Sequence, residues 1–208
     1  MKNASNDLQR YDDSTRMNHW AIALLFFAAG LSGLAFFHPS LYIFSGLFGG
    51  GAWTRILHPY FGVLMFLCFV GIYLRLWRDN VLNDTDREWL GKAGEMFAGN
   101  KDNMPPVGKY NAGQKLVFWL MTGSLLVLLA TGILFWHAWF PDLPVIARRV
   151  GVLLHAAAAV VLVLTVTVHI YAAIWVKGTT RAMTRGTVSR GWAQANHPLW
   201  HRDMTQGK

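Results

Sequence analysis

Four stretches of this 208-residue chain contain no Lys, Arg, Asp or Glu: Met17–Thr54, Ile56–Leu74, Leu116–Pro141 and Val150–Val176. Each can supply the roughly 20 apolar residues needed to cross about 30 Å of hydrocarbon. In lipid such segments are helical, because every backbone donor and acceptor has to be satisfied within the protein. The composition agrees, at 53% hydrophobic and 14% charged. The sequence therefore predicts an all-α integral membrane protein, one domain built as a four-helix bundle, with spans near 19–37, 57–76, 115–137 and 150–175. A leader (1–18), a middle segment (78–110) and a tail (176–208) carry the polar residues. The polar leader and the length of the first stretch predict a retained span rather than a cleavable signal.

The basic residues divide unequally between the two ends of these spans. Leader, middle segment and tail, with Arg75 and Lys115 at the span ends that border the middle segment, hold sixteen of the nineteen, and only Arg55, Arg148 and Arg149 fall on the other side. The positive-inside rule then places both termini and the middle segment in the cytoplasm. Contact with anionic lipid headgroups accounts for the net charge of +8, and no nucleic-acid partner is needed to explain it. The middle segment mixes charge with Trp89, Leu90, Met96 and Phe97, so part of it is expected to lie as an interfacial helix, broken at Met104-Pro105-Pro106. The outer loop from Ser45 to Trp53 is apolar and glycine-rich, which suits contact with lipid or a partner protein. Cys68 is the only cysteine, so there is no intrachain disulfide and no C-x-x-C-H haem attachment.

Histidine is the informative residue within the spans. His155 and His169 lie fourteen residues apart in one uncharged run. At about 100° per residue they return to within roughly 40° of one helix face. At about 1.5 Å per residue they stand some 21 Å apart along the axis. With the orientation above, His58 and His155 share the outer depth, and His19 and His169 share the inner one. Two matched pairs of imidazoles predict a membrane cytochrome b with two bis-histidine b-type haems, a ligation that leaves no open iron position and suits electron transfer. Gly30, Gly33, Gly62, Gly123, Gly132 and the run Ala156–Ala159 would let a macrocycle or a neighbouring helix approach closely. His38 and His137, at outer span ends, are alternative outer ligands. His197 and His201, in the polar tail, are expected to be solvated or to contact a partner. No carboxylate or thiol joins either pair, which disfavours tetrahedral zinc. No acidic residue lies in a span to relay ions, which argues against a transporter.

At these residues the chain resembles a known family. Arg55-Ile56-Leu57-His58-Pro59, the run from Gly108 through Tyr110-Asn111-Ala112-Gly113-Gln114 to Lys115, His155 to Ala158, and His169 through Trp175-Val176-Lys177-Gly178 carry the likeness, with Val188-Ser189-Arg190-Gly191-Trp192-Ala193 and His197-Pro198 in the tail. In these stretches it resembles the gamma subunits of respiratory formate dehydrogenases, cytochromes b of the bacterial inner membrane. The resemblance covers the chain from the first span onward, and is least in the leader and the outer loop. It implies that His58 and His155 hold an outer haem fed by an iron–sulfur beta subunit. His19 and His169 would hold an inner haem beside a quinone, either menaquinone or ubiquinone. Asn111, Gly113 and Gln114 match the quinone-pocket stretch. Their amides can hydrogen-bond a quinone carbonyl; alternatively Asn111 simply caps the third span. The chain has no cysteine cluster and no molybdopterin domain, so a molybdenum or tungsten alpha subunit would oxidise formate. The cytochrome b of a nickel–iron hydrogenase or a thiosulfate reductase, and a cofactor-free anchor, remain as alternatives.

Overall fold

The computed structural model describes residues 7–97, 100, 103–136 and 140–206. His137 and the side chains of Met96 and Phe97 lie outside the described residues. The chain begins with strand β1 (Asp7–Gln9) and helix α1 (Asp13–Phe37), followed by a 3-10 helix over Pro39–Phe48 and α2 (Gly51–Leu76). Then come α3 (Asp84–Gly91), α4 (Ala93–Phe97), α5 (Ala112–Leu134) and α6 (Val145–Trp175). The tail folds as α7 (Arg181–Thr184), strand β2 (Thr187–Ser189), α8 (Arg190–Asn196) and α9 (Pro198–Gln206).

Among the described residues, α1, α2, α5 and α6 are long and apolar enough to cross a membrane. Only 17–22% of their most apolar windows is buried. Leu24, Phe27, Leu67, Leu126, Leu153, Leu164 and Ile174 are all exposed along them. Apolar surface on this scale needs hydrocarbon as its solvent, and the chain is a multi-pass membrane protein.

Each helix begins three to six residues before its expected span; α1, α2 and α6 end where expected, and α5 ends at Leu134, three residues short. Charge marks where hydrocarbon ends, whereas local capping sets where a helix ends. Asp12 accepts the Thr15 backbone N–H at 2.8 Å and starts α1 six residues before His19. Pro144, whose carbonyl accepts from Arg148 N–H, opens α6 and draws Arg148 and Arg149 into its first two turns. The 3-10 helix and α2 are joined at Gly49 and Gly50, whose φ values of 86° and 94° favour glycine.

Two compact units divide the chain. The span unit comprises Met17–Leu74 and Leu120–Thr167. Its core is Ala29, Met65, Phe69, Leu125 and Leu162, one or two residues from each long helix. The ribbon unit comprises Met1–Arg16, Arg75–Trp119 and Val168–Lys208. It departs from the all-α expectation in one detail: β1 and β2 pair antiparallel, with Leu8 opposite Val188. Leu8, Val188, Ala182, Ala193 and Trp200 form one apolar cluster there, and Trp89, Val107 and Ala112 form another. A helix does form in the middle segment, but Trp89 is turned into that second cluster rather than toward lipid.

Candidate haem and quinone site

Within the span unit, α2 and α6 bring His58 and His155 together. Their rings stand 6.3 Å apart, centre to centre, with planes inclined at 68°. An imidazole–metal bond is about 2 Å and a ring nitrogen lies roughly 1.2 Å from its ring centre, so two imidazoles on opposite sides of one metal need about 6.4 Å. The observed separation meets that requirement, and the residues fit an iron held between them.

Each ring is fixed from the neighbouring helix by the same device. On α1, Ser32 Oγ lies 2.9 Å from His58 Nδ1. On α5, Thr131 Oγ1 lies 2.7 Å from His155 Nδ1. The residue after each hydroxyl is a glycine. A Cβ on Gly33 would stand 3.1 Å from His58 Cε1, and one on Gly132 would stand 3.6 Å from His155 Cε1. Phe36 meets His58 edge-on, and Phe135 does the same to His155. Both glycines stand out in the sequence by themselves; the hydroxyls before them do not. The recurring hydroxyl-glycine pair, Ser32-Gly33 and Thr131-Gly132, was the available signal.

His19 belongs to the span unit and is half-buried on α1, with its ring edge-on to Trp20 at 5.3 Å. His169 belongs to the ribbon unit and is exposed on α6. His38, considered as an alternative outer ligand, is exposed, and its Nδ1 accepts the Ser40 N–H that opens the 3-10 helix.

Asn111 and Gln114 sit at the entry to α5 in the ribbon unit. Gln114 N–H donates to Asn111 Oδ1 at 2.9 Å, and Asn111 N–H donates to Gln114 Oε1 at 3.0 Å. This reciprocal pair is a capping box, so the capping alternative describes what the two side-chain oxygens do. The amide NH2 groups are not used by that box and can still donate. Gly113 lies against Trp89, whose Cη2 would be 3.2 Å from a Cβ there. Next in sequence, Lys115 is buried and pairs with Asp86 at 2.7 Å.

The tail histidine corrects the sequence reading. His197 is not solvated: it is 2% exposed. Its Nε2 lies 3.4 Å from Arg10 Nη2, and its Nδ1 lies 2.9 Å from the Gly108 carbonyl. Arginine can only donate, so Nε2 accepts and Nδ1–H donates. Burial, then the Arg10 charge, push its pKa from 6.5 to about 4. The Arg10 guanidinium, itself buried, lies within 6 Å of the rings of Tyr11, Tyr110, Trp192 and Trp200. Tyr11 and Tyr110 share a hydrogen bond of 2.9 Å, and burial raises the Tyr110 pKa well above 10. Leader, tail and the approach to α5 are thereby tied into one polar-aromatic knot.

A family profile described as prokaryotic cytochrome b561 matches residues 10–186. The chain is 38% identical over 194 residues to the nitrate-inducible formate dehydrogenase cytochrome b556(Fdn) subunit of Escherichia coli K12, covering 93% of this chain and 89% of that one. It is 39% identical to that organism's formate dehydrogenase cytochrome b556(fdo) subunit, covering 94% and 92% respectively. It is 36% identical to the formate dehydrogenase cytochrome b556 subunit of Haemophilus influenzae, covering 98% and 87%. Such membership implies haem b, in keeping with the geometry of His58 and His155. The chain belongs to the prokaryotic cytochrome b561 family and is a relative of the formate dehydrogenase cytochrome b556 subunits.

Proposed function

We propose that this chain is the di-haem cytochrome b subunit of a formate dehydrogenase complex in a bacterial inner membrane, reducing quinone at the cytoplasmic side. The observation that carries this reading is the His58–His155 pair, spaced for one iron and tethered on both sides. The outer haem would be held by His58 and His155, and the inner one by His19 and His169. When bound, each haem supplies a one-electron carrier; the protein supplies ligation, spacing and proton access. Electrons enter from an iron–sulfur subunit, which receives them from a molybdenum or tungsten subunit that oxidises formate. The relatives' names support that partnership.

Asn111, Gly113 and Gln114 are the residues we assign to the quinone. The capping box fixes both side chains through their oxygens, so their NH2 groups are the ones offered to a quinone carbonyl. His169 is assigned to ligate the inner haem with one ring nitrogen, leaving the other for the same pocket. Both termini and the middle segment are placed in the cytoplasm by the excess of basic residues on that side. Electrons crossing inward while protons are taken from the cytoplasm store about 2.3 kcal/mol per charge per 100 mV.

The capping box makes a clean test possible. Asn111→Asp and Gln114→Glu keep the oxygen that each cap requires and replace the donating NH2. In the purified complex, both variants should lower formate-driven reduction of a soluble quinone analogue by about tenfold or more, the scale of one lost hydrogen bond. Formate-driven haem reduction should stay intact. Unchanged quinone reduction in both variants would refute the pocket assignment.

A further inference from the structure

The two hydroxyls beside His58 and His155 have a role beyond packing, and the inference rests on the haem-ligand reading above. A serine or threonine hydroxyl carries one proton and can spend it on one acceptor at a time. Ser32 Oγ lies 2.7 Å from the Ala28 carbonyl and 3.0 Å from that of Ala29. Thr131 Oγ1 lies 2.6 Å from the Val127 carbonyl and 3.3 Å from that of Leu128. Carbonyl oxygens can only accept. A hydroxyl that donates down its own helix must therefore accept from the imidazole, which places the proton on Nδ1 of His58 and of His155. In neutral imidazole the remaining lone pair is then on Nε2.

We propose that Ser32 and Thr131 are positioning residues that hold His58 and His155 as their Nδ1–H tautomers, present Nε2 to iron, and set the reduction potential of the outer haem. A donated Nδ1–H makes a ligating imidazole more basic, and greater basicity favours ferric over ferrous iron. Both hydroxyls are buried, Ser32 at 0% and Thr131 at 7% exposure, so no water readily replaces them as acceptors. Both would act on the one iron held between His58 and His155, one through each ring, so their effects should add. The adjacent Gly33 and Gly132 leave each ring room to reach its hydroxyl.

The test is spectroelectrochemical titration of the intact complex, with the outer haem identified by its loss in His58→Ala. Thr131→Val keeps the side-chain shape and removes the hydroxyl, Thr131→Ser keeps the hydroxyl, and Ser32→Ala removes the other one. The proposal expects a positive shift of the outer haem in Thr131→Val and in Ser32→Ala. A tenfold change in the ferric-to-ferrous preference is about 59 mV. The double variant should shift further, Thr131→Ser should remain close to wild type, and the inner haem should not move. Loss of the outer haem alone in Thr131→Val, with retention in Thr131→Ser, would also support it, because only the hydroxyl differs in function. Two haems at wild-type potentials in both Ser32→Ala and Thr131→Val would overturn the proposal while leaving the ligand reading in place. A haem complement indifferent to His58→Ala would overturn the ligand reading itself.

Discussion

Acidification from about pH 7 to about pH 5 should loosen the ribbon unit around His197. In the folded chain its pKa is about 4, because it is buried and faces Arg10; once that region opens, it returns to about 6.5. A lowered folded pKa means that the open state binds the extra proton, so stability is full above 6.5 and is lost as pH falls toward 4. The gap is worth at most about 3.4 kcal/mol, at about 1.36 kcal/mol per pH unit. At pH 5 about 2 kcal/mol would already be gone, a rise of about 30-fold in the opening equilibrium. Asp12, held below its ordinary value by hydrogen bonds from Thr15, titrates beneath this window. Hydrogen exchange resolved to peptides covering Val107–Tyr110 and Val188–Trp200, corrected for intrinsic chemistry, reads the opening directly. His197→Gln can offer an acceptor and a donor without titrating, and it should flatten the pH dependence. A pH-independent wild type, or a dependence that survives in His197→Gln, would refute the reasoning.

Other perturbations follow from single contacts. Lys115→Met strands the buried Asp86 carboxylate and should cost about 3–5 kcal/mol, seen as a lower detergent unfolding midpoint. Adding Asp86→Asn, which still accepts from Asn83 N–H, should recover most of that loss; no recovery would mean the charge is not the cause. Gly33→Ala places a Cβ 3.1 Å from His58 Cε1 and should weaken retention of the outer haem, whereas Gly132→Ala, at 3.6 Å from His155, should be tolerated. Equal haem retention in the two variants would contradict that ordering.

The spans were legible because exclusion of charge from hydrocarbon leaves a one-dimensional trace in the sequence. Helix ends were less so: α6 opens before Arg148 and Arg149, residues that mark a membrane boundary and not a helical one. A cap at Asn111 is legible from its place before the third span, whereas the reciprocal bond from Gln114, three residues on, emerges only in the structure. The ribbon was not legible, since three-residue strands have no measurable period and β1 pairs with a segment near the other end of the chain. Arg10 and His197 are 187 residues apart, and burial of both follows only from the fold that joins them. Ser32 and Thr131 look like ordinary polar residues in a membrane helix until their helices meet His58 and His155.

The most direct test of the account is haem content per chain, by pyridine haemochrome assay, in the purified complex and in four single variants. The account predicts two b-type haems in the wild type and one in each of His58→Ala, His155→Ala, His19→Ala and His169→Ala. It also predicts that the first two variants lose the same haem and the last two lose the other. A wild type with one haem or none, or two haems surviving any of these substitutions, would contradict it.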